Sequence, residues 1–185
     1  MVEQPPVPRD DKDWTWVLQR PCPQCGFDSA AVRLAQVPTQ LAAQVQAWRR
    51  VLTRADVRDR PQPQVWSPLE YGCHVRDVYR VFTQRLAQML AEDDPLFANW
   101  DQDATAIEQR YHEQPPQRVS DELAEAGANL ADAFAAVDGD AWARTGRRSD
   151  GACFTVDTLA RYLLHDPAHH LWDVTSAPQP HSAGS

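Results

Sequence analysis

The residues of this 185-residue chain best suited to chemistry are its six histidines, His74, His112, His165, His169, His170 and His181. Three of them crowd into the run His165-Asp166-Pro167-Ala168-His169-His170. On a helix, His165 and His169 stand four apart, so their rings project to one side, one turn above the other. Two imidazoles at that spacing can share one metal ion. A zinc protease would also carry a Glu directly after the first histidine, but Asp166 stands there, and that argues against protease chemistry. A metal needs a further protein ligand, and His74 is the best placed. It shares a helical row with Tyr71, Val78 and Val81, so it faces an apolar surface. Three neutral imidazoles would leave a fourth position open to water or substrate. The plainer alternative is that an inward histidine is only a satisfied core residue, and Pro167 could distort the spacing of the pair.

The four cysteines divide into two kinds. Cys73 and Cys153 fall in or near helices and read as small buried apolar residues. Cys22 and Cys25 lie in Pro21-Cys22-Pro23-Gln24-Cys25-Gly26-Phe27, which resembles half of a zinc knuckle. A complete structural site needs four ligands, and the sequence has no second CxxC. A redox pair would want the start of a helix in an α/β fold, which is missing. Inert packing, redox chemistry and delivery of a cysteine to the metal are the alternatives. Trp100-Asp101 and Arg147-Arg148 could line the mouth of a site, the arginines receiving a carboxylate. A packing Trp and a surface Arg pair are the plainer reading.

Four helices must position these groups. Residues 1–28 are rich in Pro and charge and read as an extended arm, with Trp14 and Trp16 expected to pack onto the body. Apolar residues through Val37, Leu41, Val45, Trp48 and Leu52 mark a helix starting near Asp28 or Ser29, its first turns bent or separated by Pro38. Ser67-Pro68-Leu69-Glu70 is a capping box with Pro at the first helical position, and it opens a helix expected to reach Ala91. A long connection over 92–114 carries a helical stretch near Asp103 to Arg110. A third helix spans Pro116 to Val137, residues 140–153 read as a loop, and the last helix runs from Thr155 to Val174. The tail to Ser185 reads as disordered, and no convincing strand pattern is present. The expected architecture is all-α, a four-helix bundle with a long crossover between its second and third helices, over residues 29–174.

Composition excludes several functions. The net charge of −8 argues against sequence-independent nucleic-acid binding. The one basic cluster, Arg49, Arg50, Arg54, Arg58 and Arg60, reads as a solvated helix end. No apolar run approaches the roughly 20 residues of a membrane span, and the N-terminus has no secretory pattern, so the expected location is cytoplasmic. An exposed bundle face could pair with a second copy to make a homodimer.

Two motifs add a family resemblance. Trp66-Ser67-Pro68-Leu69-Glu70-Tyr71-Gly72-Cys73-His74 resembles the motif opening the second helix of DinB-like proteins. Leu164-His165-Asp166-Pro167-Ala168-His169-His170 is similar to the histidine-rich motif of their last helix. The resemblance implies a four-helix bundle with a divalent metal, zinc or else nickel, on His74, His165 and His169. It also implies S-transfer chemistry with a small-molecule thiol such as mycothiol or bacillithiol and an electrophile as partners. A metal lowers the pKa of a bound thiol, and the thiolate is the nucleophile. The chain departs from the pattern at Pro167 and in lacking Arg-Gly after His170, so His170 could replace His169 if the proline shifts the helix phase. A non-catalytic metal-binding bundle and a metal-assisted hydrolase are the other functions consistent with these residues.

Overall fold

Each long helix hides one apolar stripe, and the fold follows from burying all four stripes together. The computed structural model describes residues 7–8 and 12–176. Helix α1 (Val37–Leu52) buries Val37, Leu41, Val45, Trp48, Val51 and Leu52. Helix α2 (Pro68–Ala91) buries Leu69, Cys73, Val78, Phe82, Leu86 and Met89. The short α3 (Gln102–Glu108) is capped by the Asp101 side chain. Helix α4 (Pro116–Ala135) buries Val119, Leu123, Leu130 and Phe134, and α5 (Val156–Thr175) buries Leu159, Leu163 and Leu164. Helix α4 lies against both α1 and α2, and α5 lies against the same two. Close approach at α4 requires a glycine: a Cβ on Gly127 would come within 2.3 Å of Val45 Cγ2 and 3.2 Å of Tyr79.

Two reciprocal caps fix the helices that carry the histidines. Ser67 accepts from the Glu70 N–H while Glu70 Oε2 accepts from the Ser67 N–H at 2.8 Å. Thr155 and Thr158 make the same exchange at the start of α5. Glu70 is also clamped by Arg60, whose Nε donates to Oε2 at 2.9 Å. Arg54 and Arg58, the middle of the basic cluster, donate to the carbonyls of Val174, His112 and Gln114, so they tie loops to the bundle.

The crossover from α2 to α4 is pinned from beneath by a buried ion network. Arg76, 1% exposed, donates to both oxygens of Asp77, to Gln109 and Gln114 of the crossover, and to Glu122 of α4. The Tyr111 hydroxyl donates to Asp77 Oδ2 at 2.6 Å. The side-chain nitrogens of Arg76 and both oxygens of Asp77 thus have partners, which is the condition for a buried charge to be tolerated.

The sequence reading needs three corrections, the first at Cys153, which is expected to be buried and is exposed. The first long helix begins at Val37, not near Asp28; residues Ser29–Ala31 and Leu34–Gln36 form separate 3-10 turns, and Pro38 sits in the first turn of α1. Residues 140–153 are more than a loop. Strands β1 (Thr145–Arg147) and β2 (Cys153–Thr155) pair antiparallel with Gly146 opposite Phe154, the turn reversing at Gly151 with φ +92°. Three-residue strands are too short to show alternation in sequence. The last helix ends at Thr175, within one residue of the expected position, and residues 177–185, expected to form a disordered tail, lie outside the described residues. No helix among the described residues is long and apolar enough to cross a membrane.

Two stability effects follow. Arg76→Ala would strip Asp77 of its buried counter-ion, leaving it the Tyr111 hydroxyl and the more exposed Arg80, and urea unfolding should show a loss of about 3–5 kcal/mol; unchanged stability would show that the network is not structural. For Glu70, burial alone would raise the carboxyl, but Arg60 and Ser67 outweigh it and hold the pKa below the ordinary 4.5. A depressed folded pKa contributes stability above the unfolded value, lost as pH falls through the folded one. Glu70→Gln should therefore cost about 1.5–3 kcal/mol at neutral pH, with the gap to wild type closing below pH 4.5 in melts across the acid range.

Candidate metal centre

Helix α5 passes through Pro167 without ending. Proline removes one backbone N–H donor from the helix interior. Side chains of α1 engage the neighbouring carbonyls: Gln44 Nε2 donates to Leu164 O at 2.8 Å and Trp48 Nε1 to Pro167 O at 3.2 Å. The donor residues of this stretch are thereby held in helical phase.

That phase sorts the expected ligands into two groups. His74 projects from the second turn of α2 and is 1% exposed. Its ring stacks on Trp100 at 5.5 Å and 12°, lies 5.5 Å from Trp66, and meets the His170 ring edge-on at 5.0 Å. Its Nε2 is 3.5 Å from Asp166 Oδ1. One ligand atom from each of His74, Asp166 and His170 falls within 4.8 Å of the others. Both ring nitrogens of His74 and Asp166 Oδ1 are sealed from solvent without a hydrogen-bond partner. Buried polar atoms left unpaired in this way call for an ion or water. His170 Nδ1 lies 2.9 Å from Asp173 Oδ2, the carboxylate contact that orients a metal-binding imidazole.

The second group joins α5 to the N-terminal arm. His165 and His169 bring their donors within 4.8 Å of the sulfurs of Cys22 and Cys25. Cys22 Sγ is 3.6 Å from His169 Nδ1, and His165 Nε2 is buried without a partner. The arm packs as its tryptophans suggest: Trp14 lies 5.5 Å from the His165 ring and 4.9 Å from His169, and Phe27 meets His165 edge-on. Burial, reinforced by His169, pushes His165 down to about 4, and burial lowers His169 as well. Both rings are therefore neutral at ordinary pH and able to offer a lone pair. Burial alone would raise the Asp166 carboxyl, but the facing His74 and His170 hold it down near 2. The Cys25 thiol is pushed up to about 11 by burial.

Beside these groups opens a cavity of about 410 Å³ whose wall includes Asp166, His170, Trp14, Trp100, Arg85 and Arg148. Arg85 approaches Phe82 and Phe97, each ring 5.4 Å away, and its buried Nε has no hydrogen-bond partner among the described residues. Burial lowers this guanidinium to about 10, which leaves it charged at neutral pH. Arg148 donates to Asp150 and Tyr162.

The sequence model of the DinB superfamily matches residues 40–174. The chain belongs to the DinB superfamily. No curated protein matches it. Among solved structures it is similar to YfiT from Bacillus subtilis, described as a probable metal-dependent hydrolase with an unusual four-helix bundle topology. The TM-score is 0.66 at 18% identity, covering 77% of this chain and 82% of that one. At that identity the likeness establishes the fold.

Within this DinB-superfamily bundle, sequence reasoning singles out the histidines as candidate ligands but neither Asp166 nor Arg85. The spacing of four that links His165 to His169 links Asp166 to His170 equally well, so the signal for Asp166 was present. Arg85 is one of many arginines, and nothing in sequence marks it. Trp100, Asp101 and Arg148 do line the cavity, Asp101 also capping α3, whereas Arg147 pairs with Asp94.

Proposed function

We propose that the chain is a metal-dependent enzyme acting on a small anionic molecule, with a divalent cation held by His74, Asp166 and His170. One observation carries this reading: donor atoms of the buried His74 and the half-buried Asp166 and His170 converge beside an open cavity, and atoms of His74 and Asp166 are sealed there without a hydrogen bond. Two imidazoles and one carboxylate suit zinc, with nickel as the alternative. Such a cation acts as a Lewis acid and lowers the pKa of a thiol or water placed at its open position.

The remaining work falls to the chain itself. Asp166 supplies the anionic ligand, and Asp173 fixes the tautomer of His170 through Nδ1. Trp66 and Trp100 shield His74 from water and hold its ring plane. Arg85, backed by two phenyl rings, can take a substrate carboxylate without first giving up another anion. The aromatic wall accommodates an apolar body behind that charge.

The resemblance to thiol-using DinB-like proteins supports S-transfer to an electrophile as the reaction, with a low-molecular-weight thiol such as mycothiol as co-substrate. Hydrolysis by an activated water is the second reading, supported by the description of YfiT and by a donor set free of sulfur.

Elemental analysis of zinc-loaded protein should show that His74→Ala and His170→Ala each lose about one metal equivalent; unchanged content in both would remove these residues from the site. For the reaction, carboxylate-bearing electrophiles should be consumed only when thiol and metal are both present, and Arg85→Met should weaken kcat/KM by about 10–100-fold, matching a loss of roughly 1.5–3 kcal/mol from a charged hydrogen bond. Turnover without thiol would assign the site to hydrolysis.

A further inference from the structure

We propose that Cys22, Cys25, His165 and His169 form a second metal centre, a closed structural zinc site that clips the N-terminal arm onto α5. It lies beside the His74 group and shares none of its donors.

The cysteine half is shaped by a tight turn. Gly26 N–H donates to Cys22 O at 2.9 Å and Cys22 N–H to Phe27 O at 2.8 Å, so the chain reverses between the two sulfurs. Gly26 makes this possible with φ +73°, a conformation that residues with a Cβ rarely adopt. The histidine half is the i, i+4 pair on α5. Together they have the local spacings of a Cys2His2 zinc site, two residues between the cysteines and three between the histidines. The sequence holds no second CxxC because the second pair of ligands is imidazole and comes from the far end of the chain.

Charge and burial favour a cation here. Cys22, His165 and His169 are 1%, 3% and 6% exposed. His165 Nε2 is inaccessible and has no hydrogen-bond partner, a loss that a dative bond would remove. On binding, two Sγ–H protons pass to solvent, and two thiolates with two neutral imidazoles offset the charge of a dication. A neutral centre of this kind suits a buried location, where a net charge would be costly. Two sulfurs and two nitrogens select tetrahedral zinc over the octahedral oxygen-loving cations.

The position says what the clip does. Lys12 and Trp14, in the stretch leading to Cys22, line the cavity beside Asp166 and His170. Fixing Cys22 and Cys25 to α5 therefore fixes one wall of the pocket, while four protein ligands leave no position for substrate.

The test uses the full chain, reduced and then loaded with zinc or cobalt(II). Wild type should bind about two equivalents, and Cys22→Ser, Cys25→Ser and His74→Ala about one each. Cobalt-loaded wild type should show a near-ultraviolet sulfur-to-cobalt charge-transfer band, lost in both cysteine variants and retained in His74→Ala. Amide exchange over residues 13–27 should quicken at least ~10-fold in Cys22→Ser, a loss of about 1.4 kcal/mol of protection. The absence of a sulfur band in reduced, cobalt-loaded wild type would overturn the proposal, and this measurement does not depend on any variant folding. Undiminished metal content in the cysteine variants would also overturn it. Loss of metal from His74→Ala with the sulfur band intact would show the two centres to be independent, so failure at the His74 group leaves this inference standing.

Discussion

Consecutive residues of an α-helix point about 100° apart, and that constraint organises everything near the C-terminal end of α5. Within the run from His165 to His170 the step produces two i, i+4 pairs on adjacent stripes. His165 and His169 turn to the N-terminal arm, while Asp166 and His170 turn to α2 and His74. A donor run that looks like a single cluster in sequence therefore serves two neighbours. Neither pair could move to the other stripe without carrying its companion along.

The bundle supplies the stiffness that this division needs. A proline in the middle of the run would ordinarily loosen the helix, yet Gln44 and Trp48 of α1 grip carbonyls close to it. On the other side, the Ser67–Glu70 cap sets where α2 starts and so the direction in which His74 points. The Arg76 network holds the crossover against α2, and the same crossover carries Trp100, whose ring stacks on His74. Polar interactions outside the donor groups thus decide the geometry inside them.

Most of the fold could be read from apolar spacing and caps. The box at Ser67 located the start of α2 to the residue, because two side-chain contacts and a proline coincide there. The arm and the hairpin were harder. Gly151 signals a turn, but strands of three residues leave no periodic trace, and the first 3-10 turns carry apolar residues at nearly helical spacing. At the candidate site, histidine count and spacing point to α5 and His74, but which neighbour each pair on α5 faces is out of reach. It depends on the rotation of α5 about its own axis and on the docking of a segment remote in sequence, neither of which local pattern encodes. Cys22 and Cys25 show the same limit: their spacing is that of half a ligand set, and only tertiary structure shows that they lie beside His165 and His169.

The docking of the arm has a consequence for how the molecule is made. Cys22 and His169 meet although 147 positions separate them. A ribosome adding roughly 5–20 residues per second needs about 7–30 s to cover that distance. Throughout that interval the arm's tryptophans and thiols are out of the exit tunnel with no helix to receive them. The wall of the cavity that contains Trp14 is thus the last part of the protein to be completed, and a nascent chain that stalls before α5 emerges has neither pocket nor donor pairs.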